Sequence, residues 1–142
     1  NGMPVNVRGD YNETGTEWYN DAFEYNGREV SKQVLSDSYS SNSDIITYTW
    51  ANGNLVKQQS PAYGTTVYEY FLDKNYSEGD FFYIDQFLYD SYQFVFNKNI
   101  LKSSKTGNYP IDLFYYTYDA DGNINSFKED NSNPTTLAYK CN

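Results

Sequence analysis

Three dipeptides that favour tight turns divide this chain into strand-like segments. Asn26-Gly27, Asn52-Gly53 and Asp121-Gly122 each follow an aromatic segment and precede a second segment of polar and apolar residues. Asn or Asp followed by Gly tolerates positive φ at both central positions of a type I′ turn, and that turn matches the twist of the strands it joins. Flanked by alternating residues, such a dipeptide is the strongest short-range hairpin signal. We therefore predict a β-hairpin at each of these places.

The residues around these turns alternate as those of strands do. Ile46, Tyr48 and Trp50 fall on one face of the strand before the second turn. Further strands are predicted at residues 5–11, 65–72 and 135–139. Loops are predicted at residues 36–43 and 102–110.

Residues 80–97 break this two-residue rhythm. Apolar residues recur there at helical spacing on one face, and polar residues recur on another. Asp80 is a candidate cap for the first turn. We predict one short helix that lies across the concave side of the sheet and hides its aromatic face.

The length and the aromatic content define the expected fold. The chain has 142 residues, which is the usual size of one domain, and 20% of them are aromatic, so rings must supply much of the packing area. We predict a single mainly β domain over residues 1–142: a curved antiparallel meander, or open or partial barrel, of about seven to nine strands with the helix crossing it. A β-sandwich is the alternative. Because the chain begins with Asn1 rather than Met, we expect it to be N-terminally processed or truncated.

Charge and composition exclude several classes of function. The net charge of −9 would repel a phosphate backbone, so no nucleic-acid partner is expected. No apolar run is long enough to cross a bilayer. The chain has no His and a single Cys, Cys141, which removes the usual general base, the serine triad and the common zinc ligands. We therefore predict a protein that is not an enzyme and that has no metal and no cofactor.

Two short motifs match known binding patterns, but each is better explained as ordinary β-structure. Residues 119–124 look like part of a calcium loop, but aligning Gly122 with the turn glycine of an EF-hand puts Lys128 at the closing carboxylate position. The hairpin interpretation is therefore favoured. Arg8-Gly9-Asp10 spells the tripeptide that integrins read, yet it lies in a predicted strand, where Gly9 indicates a bulge.

The order of these elements resembles that of a known protein family. Residues 48–57 and 116–124 are similar to the tyrosine-aspartate hairpins of uncharacterised secreted lipoproteins from gut Bacteroidetes, one family of which is a domain of unknown function with a porin-like fold. Members carry such hairpins, then a helical segment, then a Ser-Lys-rich loop ending in Pro, here residues 103–110, and a final strand close to a Cys, here residues 137–141. The resemblance implies export, a lipid anchor upstream of this chain and a curved antiparallel meander. It implies no known activity.

The aromatic surplus is the main functional indication. Most rings are expected in the core, but rings on a solvent-facing sheet hold sugar rings by apolar contact while Asn, Gln and Asp bind hydroxyls. The predicted ligand-binding residues are Trp18, Tyr19, Trp50 and Tyr63. The predicted function is a secreted or cell-surface binding or scaffold domain whose partner is a glycan or another surface protein. The alternative is a structural or assembly domain that associates through open sheet edges.

Overall fold

A computed structural model describes residues 5–77, 79–81, 97–130 and 132–138. These residues form ten strands, which exceeds the predicted seven to nine: β1 (Asn6–Asp10), β2 (Trp18–Asn26), β3 (Glu29–Asp37), β4 (Asp44–Ala51), β5 (Asn54–Ser60), β6 (Gly64–Asn75), β7 (Asn99–Thr106), β8 (Asp112–Tyr118), β9 (Ile124–Glu129) and β10 (Thr135–Thr136).

The ten strands form one antiparallel meander. Their order in the sheet is their order in the chain, and each strand pairs antiparallel with the next. Within the described ranges β1 and β10 are not paired with each other, so the sheet is open. The predicted curved meander is confirmed as an antiparallel meander, and the sandwich alternative is wrong because the described strands belong to one sheet.

The predicted helix is not part of the described fold. Residues 82–96, which carry most of that prediction, lie outside the described residues, and Phe81, the last described residue before them, has helical backbone. Asp80, the predicted cap, is fully buried, and its Oδ2 accepts the N–H of Leu101 on β7 at 2.9 Å. No helix in the described ranges has the length and apolar character needed to cross a membrane.

All three predicted reversals occur where the glycines place them. Gly27, Gly53 and Gly122 have φ of +65°, +80° and +85°, in the left-handed region that glycine tolerates. At the second turn Asn52 also has positive φ, +54°, and Asn52-Gly53 is the whole loop between β4 and β5. This hairpin therefore has the predicted type I′ character.

The first turn is shifted by one residue from the prediction. Asn26 is the last residue of β2 and pairs with Glu29, so the loop is Gly27-Arg28, and only Gly27 has positive φ. A register shift between Glu24 and Tyr25 moves the pairing. Two-residue loops with glycine first are the other favoured hairpin connection, so the reversal is kept while the turn type changes.

The third turn is longer than predicted. The backbone N–H of Asp119 donates to Asn123 O at 2.9 Å, and Gly122 N–H donates to Asp119 O at 3.2 Å, which closes a three-residue loop. The Asp119 carboxylate accepts the N–H groups of Asp121 and Asn123, at 3.0 and 2.8 Å. These hydrogen bonds, led by those from Asn123, lower the pKa of Asp119. Local carboxylate bonding thus favours the longer loop over a type I′ turn.

Two predicted loop boundaries also change. Residues 102–106 continue β7, and residues 103–106 pair with β6, with Thr66 opposite Thr106, so the loop lies at residues 107–111 instead of the predicted 102–110. The serine-rich segment 103–106 therefore belongs to a strand. The loop predicted at 36–43 begins after Asp37, and within the described residues, which end at 138, the last strand covers Thr135–Thr136 of the predicted 135–139.

The main hydrophobic core cluster of the described residues is half aromatic. Its buried members come from seven strands: Phe23, Val30, Ile46, Tyr48, Leu55, Tyr70, Leu101 and Phe114. The buried phenols keep partners, as Tyr48 Oη donates to Gln33 Oε1 at 2.6 Å and Tyr70 Oη to Leu55 O at 2.5 Å. Tyrosine thus fills the core without leaving an unpaired hydroxyl.

Candidate functional site

The core-side face of β2, β3 and β4 continues into an open groove. Phe23, Gln33 and Ile46 lie side by side in the core, and two residues along the same face each strand carries a groove residue. The groove has a volume of about 350 Å³. It is lined by Tyr11, Tyr19, Asp21, Leu35, Ser36, Asp37, Ser40, Asn42, Asp44 and Tyr63.

A leucine between two carboxylates forms the central row of the groove. Leu35 pairs with Asp21 on one side and with Asp44 on the other. Because neighbouring strands are separated by about 4.8 Å, the backbones of the two aspartates stand about 10 Å apart across Leu35. The row therefore offers an apolar surface flanked by hydrogen-bond acceptors.

Two tyrosines form the wall on the β1 side. Tyr19 is opposite Gly9 on β1, and its ring occupies the space that a side chain at Gly9 would fill, since a Cβ there would stand 2.3 Å from Tyr19 Cε1. The ring of Tyr11 packs against it at 5.4 Å between centroids. Gly9 therefore positions the Tyr19 ring, and the predicted bulge is wrong because β1 pairs with β2 without a register shift.

The opposite side carries Tyr63, held by a serine. Ser60 Oγ accepts the backbone N–H groups of Ala62 and Tyr63, at 3.0 and 3.1 Å, and donates to Asp44 Oδ2 at 2.7 Å. The turn that presents Tyr63 is thereby linked to a groove carboxylate. The Tyr63 side chain itself is 70% exposed, so its ring is available to a ligand.

The three carboxylates of the groove differ in their partners. Asp37 Oδ1 accepts the backbone N–H groups of Tyr39 and Ser40, at 2.8 and 2.7 Å, which fixes the loop after β3. Asp44 accepts the hydroxyl of Ser60. Asp21 has no hydrogen-bond or ion-pair partner within the described part of the chain, and its partial burial raises its pKa. Asp21 is therefore the carboxylate left free for an incoming group.

The structure brings together two of the four residues predicted to bind a ligand, Tyr19 and Tyr63. Trp18 is not a lining residue: it alternates to the other face of β2, where the guanidinium of Arg8 lies 5.1 Å from its ring centroid. Trp50 packs against the core, and its Nε1–H donates to Val30 O at 2.7 Å. The two tryptophans thus lie outside the groove. Each contacts a structural partner, Arg8 for Trp18 and Val30 O for Trp50.

Sequence reasoning missed the carboxylates and Tyr11. A signal was present, because the apolar face Ile46, Tyr48, Trp50 extends two residues back to Asp44, and Phe23 extends back to Asp21. A charged residue at an inward position of an alternating strand is costly unless it serves a purpose. Extending the two-residue alternation beyond the aromatic residues would have pointed to Asp21 and Asp44 as inward-facing residues.

No group of three or more His, Cys, Asp or Glu that could hold a metal ion occurs in the described ranges. A second depression of about 300 Å³, near Asn52 and Leu72, contains one carboxylate, Glu69, and Lys102 Nζ lies 3.4 Å from it. Of these two depressions, the first combines aromatic rings with a carboxylate that has no ion-pair partner within the described ranges.

No protein-family model matches this chain, and neither the curated proteins nor the solved structures include a significant match.

Proposed function

We propose that the chain is a non-catalytic binding domain whose groove holds a sugar unit of a glycan. The observation that carries the proposal is the groove itself, in which Tyr19 and Tyr63 stand on either side of the Asp21–Leu35–Asp44 row. A volume of about 350 Å³ is at the small end of ligand sites and suits one or two sugar rings.

The chemistry of the lining matches the two-sided character of a sugar. A pyranose ring has an apolar face of C–H groups, which tyrosine rings and Leu35 contact favourably, and an equator of hydroxyls. Asp21, Asp44 and the amide of Asn42 offer acceptors and donors for those hydroxyls. The four-stranded support from β1 to β4 fixes these groups relative to one another, which lowers the ordering cost of binding.

The carboxylates support binding rather than hydrolysis. Two-carboxylate glycoside hydrolysis requires one protonated acid and one carboxylate free to act as base or nucleophile. Asp37 and Asp44 hold the backbone of one loop and the serine of another, and each has a structural task. Asp21 is left without such a carboxylate partner.

The sheet edges give weaker support to the alternative of assembly through strand pairing. β1 has five residues, with the charged side chains of Arg8 and Asp10 among them, and β10 has two. Short, charged edge strands are the features by which proteins avoid edge-to-edge pairing. We therefore place the function in the groove.

Secretion or attachment at a cell surface remains part of the proposal. Its support is the resemblance of residues 48–57 and 116–124 to the hairpins of secreted lipoproteins. A surface location would bring the groove into contact with extracellular glycans or with another surface protein.

A glycan array tests the proposal with the purified chain. We expect binding to a subset of glycans, weakened about tenfold or more in both Tyr19→Ala and Tyr63→Ala, since aromatic anchors commonly contribute this much. Tyr109→Ala is the matched control, because Tyr109 is 73% exposed and lies in the turn after β7, outside the groove lining. We also expect bound oligosaccharides to be recovered intact.

Two results would reject the proposal. One is an absence of binding to every glycan of the array. The other is an equal loss in all three variants, which would place the contacts elsewhere. Concentration-dependent sedimentation of the unliganded chain would instead favour assembly through the sheet edges.

A further inference from the structure

The ionisable side chains that line the groove and carry charge near neutral pH have one sign. Asp21, Asp37 and Asp44 are anionic, and none of the ten lining residues is Lys or Arg. Arg8 alternates to the opposite face of β1 from Gly9 and Tyr19, where it pairs with Asp10 at 3.2 Å and lies over Trp18. The groove thus carries no compensating cation of its own among the lining residues.

Asp21 is the groove carboxylate that would gain most from a positively charged ligand. It lies between Tyr19 and the core residue Phe23 along β2, it is partly buried, and among the described residues it has no hydrogen-bond or ion-pair partner. A partly desolvated carboxylate gains more from an opposite charge than an exposed one does, because the effective dielectric constant is lower. The same partial burial raises the pKa of Asp21.

The aromatic wall adds a second attraction for positive charge. The rings of Tyr11 and Tyr19 are 5.4 Å apart and border the same groove as Asp21. The faces of aromatic rings carry negative potential and attract ammonium groups. The net charge of −9 favours the approach of a cation over that of an anion.

From this juxtaposition we infer that the groove selects amino sugars, whose free, protonated amine pairs with Asp21 while the sugar ring lies against Tyr19. The inference rests on the proposed function and specifies the ligand class of the same site. An N-acetylated sugar carries a neutral amide at that position, so it offers Asp21 a hydrogen bond but no charge. A neutral sugar offers only hydroxyls.

Calorimetric titration with two trisaccharides tests the inference. The probes are a β-1,4-linked glucosamine trimer and its fully N-acetylated counterpart, at about pH 6, where a primary amine is protonated. We expect the amino trimer to bind about tenfold more tightly, the scale of one charge-assisted hydrogen bond. We expect Asp21→Asn, which keeps the shape of the side chain, to remove that preference.

Asp73→Asn is the control for net charge. Asp73 is exposed on β6 and outside the groove lining, and its substitution changes the net charge by the same amount. We expect this variant to bind both trimers as the original chain does. Circular dichroism of both variants verifies that the sheet is intact.

The outcomes separate the two proposals. Equal binding of both trimers, or tighter binding of the acetylated one, overturns the amine inference and leaves glycan binding in place. Equal weakening by Asp21→Asn and Asp73→Asn also overturns it, because the effect would then be long-range. If neither trimer nor any glycan of the array binds, both proposals fail.

Discussion

Buried tyrosines in this sheet combine apolar area with a required hydrogen bond. Tyr48 is 7% exposed, and its hydroxyl donates to Gln33 Oε1, itself part of a buried side chain. Both residues lie on the core side of neighbouring strands, with Gln33 opposite Ile46. This hydrogen bond therefore offsets the cost of burying the Tyr48 hydroxyl and the Gln33 amide inside the sheet.

Removing the Tyr48 hydroxyl should destabilise the fold. We expect Tyr48→Phe to lower the free energy of unfolding by about 1–3 kcal/mol, because Gln33 Oε1 loses its buried donor. Urea unfolding followed by circular dichroism measures the change. Tyr109→Phe is the matched control and should be neutral, since Tyr109 is exposed; equal stability of Tyr48→Phe and the original chain would contradict the interpretation.

Gly9 illustrates a glycine that is required by a neighbouring ring rather than by its own backbone. Its φ is not in the positive range, so alanine is permitted by the backbone, yet a Cβ would overlap the ring of Tyr19. Gly9→Ala should therefore cost about 1–3 kcal/mol through overpacking. It should also weaken ligand binding, because the ring that forms the groove wall must move.

A double-mutant cycle separates this contact from a general strand effect. In a Tyr19→Ala background the ring is gone, and we expect Gly9→Ala to be neutral or slightly stabilising, as alanine is in a strand interior. The measurement is the free energy of unfolding of the four variants. An equal cost of Gly9→Ala in both backgrounds would show that the ring is not the cause.

At the scale of elements, the hairpin tips differ in what surrounds them. Gly27 and Gly53 both have left-handed φ, but a Cβ at Gly27 would meet nothing within 4 Å, whereas one at Gly53 would lie 3.3 Å from Lys98 Cβ. Lys98 also donates its backbone N–H to Gly53 O at 2.8 Å. The β4–β5 turn is thus packed, while the β2–β3 turn is free.

Alanine substitution should distinguish the two turns. Both Gly27→Ala and Gly53→Ala place a side chain in the left-handed region, at a cost of about 1–2 kcal/mol. We expect Gly53→Ala to cost more, because Lys98 Cβ, 3.3 Å from the added Cβ, must also give way. Thermal unfolding of the two variants gives the comparison, and a greater loss for Gly27→Ala would contradict it.

The positions of the chain reversals were predicted from the sequence more accurately than the turn types and strand lengths. Glycine after Asn or Asp marks a reversal by local backbone chemistry alone, and all three occurred at the expected glycines. Turn type and strand length depend on the partner strand, as the register shift at Glu24 and the extension of β7 to Thr106 show. Such pairing is not encoded in any short window of sequence.

In the candidate site too, local features were predictable from the sequence, whereas features that depend on strand pairing were not. Tyr63 was recognisable as an aromatic residue in a turn, and Tyr19 was predicted as part of the aromatic surplus. Asp21 and Asp44 become neighbours only through the registers of β2, β3 and β4, with Leu35 between them. Trp50 was predicted as a ligand contact because it is one of the two tryptophans of the chain, and its indole Nε1–H donates instead to Val30 O.

For the molecule as a whole, the reliance on tyrosine links stability to alkaline pH. Burial, the largest cause, raises the pKa of Tyr48, Tyr70 and Tyr116, and the charge of Asp80 contributes for the last two. In the unfolded chain a phenol ionises at about pH 10. The folded state therefore holds these protons at pH values where the unfolded state has released them.

The sign of the effect follows from proton linkage. Because the folded-state pKa of each phenol exceeds the unfolded value, its contribution to stability is complete below about pH 10 and is lost as the pH rises toward the folded-state pKa. Three such groups in one core should unfold the sheet cooperatively at alkaline pH. Acidification leaves this contribution unchanged, since the phenols are neutral in both states.

Alkaline titration followed by tyrosinate absorbance and circular dichroism provides the measurement. We expect part of the phenolic absorbance to appear at about pH 10 with the β-sheet signal intact, and the remainder to appear only together with loss of that signal. The chain unfolded in urea serves as the reference and should titrate in a single step. Tyr70→Phe should reduce the second step and shift sheet loss to higher pH, because one fewer buried phenol then drives unfolding. Complete ionisation at about pH 10 with an unchanged sheet signal would show that these hydroxyls are open to solvent, against the packing described above.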